Sequence, residues 1–101
     1  MFNESLERVV ELVRTLEDYL HYLRGKGFLF QEDAIGFIYF GKHYTSADDE
    51  LIKTAIELTL KAQRSFDGSF YVSLLETFTK HQLKTRKDAI RFVKEHQLLA
   101  I

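Results

Sequence analysis

Six apolar residues, Leu6, Val9, Val13, Leu16, Leu20 and Leu23, follow one another at alternating spacings of three and four. That period places them on a single stripe of a helix. It predicts an amphipathic helix over residues 4–24, with Gly25 and Gly27 ending it, because Gly readily takes the left-handed conformation of a helix stop. Glu4 and Arg8, and Arg14 and Asp18, are opposite charges four apart on the outer side. The seam is shorter than three heptads, too short to stand as a free coiled coil. The expectation is therefore that this helix packs on its own domain. Homodimerisation through its outer rows, which carry Val10, Leu12 and Tyr19, is the alternative.

The rest of the chain obeys the same period. There is no Pro and there are only five Gly in 101 residues, which suits helices with short joints. Phe28-Leu29-Phe30 reads as an apolar connector that plugs the core. EDAIGFIYFGKHY reads as a second helix whose Ile35, Phe37 and Ile38 face inward, with Tyr39, Phe40 and Tyr44 widening the apolar face. Its Gly36 and Gly41 each weaken a helix by about 1 kcal/mol relative to Ala, and a strand over GFIYFG is the competing reading. Ser46, with Asp49 three residues on, resembles a capping box. Asp48, Asp49 and Glu50 suit the positive end of the following helix, and Lys61 and Arg64 its negative end. Leu51, Ile52, Ala55, Ile56, Leu58 and Leu60 give that helix a broad apolar face and mark it as the central buried one. After the SFDGS turn, Ser69 is expected to cap a helix running from Phe70 to about His81, with Phe70, Leu74 and Phe78 on its inner stripe. Thr85, with Asp88 three later, is expected to start a last helix that buries Ala89, Phe92, Val93 and Ile90. The fold class is all-α: one compact domain, 1–101, of about five helices and no sheet.

Composition narrows the function. No Cys is present, which removes disulfides, thiolate metal sites and thiol nucleophiles together. No apolar run approaches the roughly 20 residues of a membrane span, and the N-terminus opens with acids rather than the basic lead of a signal peptide. A cytoplasmic location with no membrane partner is the expectation. No two of His21, His43, His81 and His96 are three or four apart, so no helical metal pair arises. Asp48 and Asp49, the candidates to join His43 in a site, are already accounted for as capping residues. No Ser lies in a strand–turn–helix elbow, and no glycine spacing fits a phosphate loop. The chain reads as non-enzymatic, without cofactor or metal.

Charge is distributed unevenly. Residues 1–59 hold six Lys/Arg against eleven Asp/Glu, a net of −5, and residues 60–101 hold eight against four, a net of +4. On an ideal helix Lys87, Arg91 and Lys94 share one face, nearly opposite Ala89, Phe92 and Val93. Lys80, Lys84 and Arg86 precede them in the connector. Together these six form a candidate nucleic-acid-binding patch. The plainer reading is that they solvate the outer face of a terminal helix.

The pattern DDELIKTAIELTLKAQ, then FYVSLLETF, then KHQLKTRKDAIRFVKE resembles the C-terminal helical domain of the bacterial DnaD-like primosomal replication proteins, over residues 32–95. In that family an acidic, Leu-Ile-rich helix with an Ala-Ile step leads through a loop to a Tyr-x-x-x-Ile-x-x-x-Trp helix. A Gly-Ile-x-Thr connector and a terminal helix follow. Phe70 stands where the Tyr would be, Leu74 where the Ile would be and Phe78 where the Trp would be, and Leu83 and Thr85 match the connector. Gln82 replaces the Gly, and the family's winged-helix domain has no counterpart. The resemblance implies weak DNA binding and a scaffolding role in DNA replication, without catalysis. The alternative is a protein-interaction adaptor or regulator, monomeric or homodimeric, acting through the acidic N-terminal helix and the apolar C-terminal tail.

Overall fold

The computed structural model describes residues 15–28 and 30–98. Five α-helices occur among them: α1 Leu16–Gly25, α2 Glu32–Thr45, α3 Asp49–Gln63, α4 Gly68–Lys80 and α5 Arg86–Glu95, with no strand. The all-α expectation holds, and GFIYFG lies wholly within α2.

α3 is the axis of the domain. All ten residues from Leu51 to Leu60 are buried, so this helix is enclosed on every side and not only along its apolar face. α1, α2, α4 and α5 all pack on it, and α2 packs most extensively on α4. The inner stripe of α4 is core as expected: Leu74 and Phe78 are buried and Phe70 is half-buried against them, with Tyr71 and Leu75 adding a second buried row. α5 contributes Ala89 and Val93 fully and Ile90 and Phe92 in part. Phe30 meets Phe66 edge-on at 5.9 Å, and Phe66 in turn meets Tyr71 at 5.3 Å, so Phe28 and Phe30 of the connector pack on the core, while Leu29 lies outside the described residues.

Several boundaries differ from expectation. A helix does not run unbroken to residue 24: Thr15 is extended, and its side chain accepts the Asp18 N–H as the N-cap of α1. The part of the expected helix before residue 15, with Val10 and Leu12, lies outside the described residues. Tyr19, off the sequence stripe, is fully buried beside Leu16, Leu20 and Leu23, so α1 packs on its own domain. Ser46 is not an N-cap. It closes α2 with a left-handed backbone, φ 57°, and Asp48 caps α3 by accepting the Leu51 N–H. Ser69 likewise lies inside α4, which Asp67 caps through the Phe70 N–H. Ser and Asp have similar N-cap preference, so adjacent candidates are not separable from residue type. Thr85 caps α5 as expected.

The end of α4 explains the residue at position 82. The Leu83 N–H bonds to Phe78 O and the Gln82 N–H to Thr79 O, with Gln82 at φ 59°. This is the paired closure in which Gly is the usual occupant of the left-handed position.

α2 and α4 approach so closely that a Cβ on Gly41 would lie 2.8 Å from both Leu75 Cδ1 and the Tyr71 ring. The Tyr71 hydroxyl donates to Ile38 O at 2.7 Å in the same contact. Two truncations should separate packing from propensity. Leu74→Ala should cost about 2–5 kcal/mol, as buried Leu truncations do. Gly41→Ala should destabilise as well, by roughly 1–3 kcal/mol, because overpacking outweighs the propensity gain of about 1 kcal/mol. Urea melts check both; a stabilised Gly41→Ala would show that the two helices can move apart freely.

Candidate functional site

The six cations singled out in the sequence do not stay together. Lys80, Lys84, Lys87, Arg91 and Lys94 are exposed. None of these five makes an ion pair among the described residues. Arg86 is turned inward. Its Nε and Nη2 donate to the two carboxylate oxygens of Glu57 at 3.0 and 2.9 Å, and Glu57 is fully buried in the middle of α3. The Arg86 N–H donates to Glu50 at 2.8 Å. Arg86 is therefore a structural clamp between α5 and α3, and it leaves the candidate patch. Sequence reasoning missed this because Glu57 is 29 residues away and looks like a surface acid on a polar row.

Several acids between Glu17 and Glu57 are similarly occupied. Asp48 caps its own helix. Asp49 accepts the Leu16 N–H at 3.0 Å, capping α1, and pairs with Lys42 at 2.9 Å. Glu50 accepts the first N–H of α5. Glu17 accepts the Tyr39 hydroxyl at 2.7 Å, a bond that lowers the Glu17 carboxyl below its usual range. The Tyr39 hydroxyl is pushed up to about 12, first by burial and then by that carboxylate. The Tyr19 hydroxyl has no hydrogen-bond partner among the described residues; burial, and then the charge of Glu57, push its pKa well up.

The exposed cations divide by position. Lys80 and Lys84 stand at the end of α4 and in the connector. There an open groove of about 480 Å³ is lined by Thr45, Ser46, Thr79, Gln82, Leu83 and Lys84. The C-terminal ends of α2 and α4 meet there, and helix C-termini carry partial negative charge. Those two lysines answer the helix dipoles, and the groove itself disfavours anions. Lys87, Arg91 and Lys94 form one row on the outer face of α5, opposite Ala89 and Val93. A ring stack lies on another flank of α5, with His81 and His96 at 4.6 and 4.1 Å from Phe92. Asp88 and Glu95 occupy the helix rows between that stack and the cationic row. The row can thus meet phosphates, but it is separated from aromatic surface that could stack on bases.

A second exposed feature was not anticipated. Phe37, expected to face inward, and Phe40 and Tyr44, expected to widen the apolar face, lie on the outer face of α2, 41%, 54% and 61% exposed. The rings of Phe40 and Tyr44 stack at 5.3 Å and 10°. The inward face of α2 is already filled by Ile38, by Gly41 against α4 and by half-buried Ile35, which leaves no room for three more rings.

No group of three His, Asp or Glu converges on a possible metal position among the described residues, and none of their helices is long and apolar enough to cross a membrane. The chain belongs to a family of unknown function, DUF6123, which matches residues 11–99. No curated protein and no solved structure matches it.

Two measurements test this arrangement. Arg86→Ala should cost up to about 3–5 kcal/mol, the usual result of breaking a buried pair, with Lys61 at 3.9 Å left as the remaining partner of Glu57. Lys87→Ala, one residue on, should stay within about 0.5 kcal/mol. Equal effects in denaturant melts would refute the division of roles. The second measurement concerns Asp49. Burial alone would raise its pKa, but Lys42 and the Leu16 N–H outweigh burial and hold it below the ordinary value. A depressed folded-state pKa means a contribution fully present above the unfolded value of about 3.9 and lost as pH falls through the lower folded value. Asp49→Asn should therefore lower stability at neutral pH and flatten the acid limb of a stability–pH curve below about pH 4. An acid limb unchanged in slope would remove Asp49 from the acid response.

Proposed function

We propose that this member of the DUF6123 family is a non-enzymatic, cytoplasmic accessory domain that makes weak, sequence-independent contacts with nucleic acid through the outer face of α5. DNA replication is the process in which it acts on this reading. The observation that carries the proposal is the contrast in charge use. Asp48, Asp49, Glu50 and Glu57 serve as caps or ion-pair partners within the fold, whereas Lys87, Arg91 and Lys94 have no acid partner among the described residues. A net charge near zero in the sequence thus coexists with an uncompensated cationic row, which is what phosphate contact requires. The resemblance to DnaD-like domains supports the same reading. Separation of the row from the His81–Phe92–His96 stack supports contact with backbone phosphates without base stacking, and hence no sequence preference.

A protein-interaction adaptor is the second reading, and it is favoured by a different surface, the exposed aromatics of α2. Leu98 is also exposed, and the rest of the apolar tail lies outside the described residues.

The test of the first reading is a shift assay on single-stranded and duplex DNA over a salt series. Three phosphate contacts should give a slope of log affinity against log salt of about −2 to −3. Replacing Lys87, Arg91 and Lys94 together by Gln should abolish most of the binding and leave the melting curve nearly unchanged. No binding by the unaltered chain at about 50 mM salt, where phosphate contacts are strong, would reject nucleic acid and leave the adaptor reading.

A further inference from the structure

The outer face of α2 combines three features, of which the fold uses only the packing of the Phe37 ring over Gly68. Phe37, Phe40 and Tyr44 are large, apolar and exposed. An apolar groove of about 340 Å³ lies among Asp33, Gly36, Phe37 and Phe40. At the floor of that groove Gly36 sits mid-helix, and a Cβ added there would meet nothing within 4 Å. Gly in an exposed helix interior costs about 1 kcal/mol relative to Ala. Gly41, by contrast, is required by contact with Tyr71 and Leu75, and Gly68 lies under the Phe37 ring. Gly36 alone in α2 has no internal reason to lack a side chain.

The stripe is complementary to itself. Its acids, Glu32 and Asp33, lie in the first turn, and its donors, His43 and Tyr44, lie in the last. Apolar rings stand between them. Two copies of α2 laid antiparallel and centred near Ile38 bring Glu32 opposite His43 and Asp33 opposite Tyr44. Phe37 then meets Phe40, and each Phe40 ring covers the Gly36 of the other copy. Every pairing occurs twice about one two-fold axis, as an isologous contact demands. The antiparallel arrangement also sets the acidic N-terminal end of each α2 against the C-terminal end of the other, which favours both dipoles. We propose that α2 is the interface of a weak homodimer, with Gly36 as the hole and Phe40 as the knob. The partner is a second copy of this chain, because the carboxylate acceptors at one end of the stripe face the His43 and Tyr44 donors at the other in that arrangement. This surface is separate from the α5 row, so the proposal does not depend on nucleic-acid binding.

Sedimentation of the full chain over a concentration series tests it. A monomer–dimer equilibrium with a micromolar midpoint is expected, in keeping with a small interface. Phe40→Glu should raise the midpoint at least about tenfold, as loss of a central aromatic anchor does. Gly36→Gln separates interface from fold, because it should raise the melting temperature of dilute monomer while weakening association. Glu32→Lys should weaken the dimer, and His43→Glu added to it should restore the association, a rescue that damage to the monomer cannot produce. A single monomeric species up to about 1 mM would overturn the proposal, as would a dimer indifferent to Phe40→Glu and Gly36→Gln. If the chain stays monomeric and the stripe instead binds a different protein, the adaptor reading takes the surface and the homodimer is rejected.

Discussion

Three consecutive acids at the start of the central helix hold the domain together. Asp48 caps α3 itself, Asp49 caps α1, and Glu50 caps α5. A helix N-terminus leaves several N–H groups without intrahelical partners and carries partial positive charge. Gathering three of them around one short acidic run fixes where α1 and α5 begin relative to α3. Lys42 completes the arrangement by pairing with Asp49 from α2. One corner thus sets the register of four helices, and the hydrophobic faces then close around α3.

The second constraint is the buried Glu57–Arg86 pair. A buried ion pair is weak evidence of net stabilisation, since desolvation offsets the attraction. Its geometric effect is clearer. With both carboxylate oxygens engaged and the Arg86 N–H on Glu50, α5 is fixed in rotation about its own axis. That rotation turns Ala89 and Val93 to the core and Lys87, Arg91 and Lys94 to solvent. The exposed charge of the domain is therefore a consequence of where its buried charges pair, and counts over the sequence do not reveal it.

Tyrosine hydroxyls tie α2 to its neighbours. Tyr39 reaches Glu17 on α1, and Tyr71 of α4 reaches Ile38 O within α2. These bonds, with the close approach at Gly41, leave α2 a single orientation, in which the more apolar-looking residues of its sequence face outward. Residues that would be expected inside any helical domain become its most exposed aromatic surface.

Periodicity alone was sufficient for the helical class, the central burial of α3, the inner stripe of α4 and the core face of α5, because each depends on spacing within one segment. The Thr85 cap was legible for the same reason. Caps at Asp48 and Asp67 were displaced from the neighbouring serines because residue type does not separate two adequate acceptors. The start of α1 at Leu16 had a local signal, Thr15 with Asp18 three residues on, but the longer apolar period masked it, and the acceptor for the Leu16 N–H, Asp49, is 33 residues away. Among the candidate cations, the spacing of Lys87, Arg91 and Lys94 correctly predicted a common exposed row, while Arg86 was withdrawn by a carboxylate that only folding brings within reach. The facing of α2 was decided last and least locally. Apolar residues occur all around that helix, and which of them were buried depended on the surfaces that α3 and α4 offered to it.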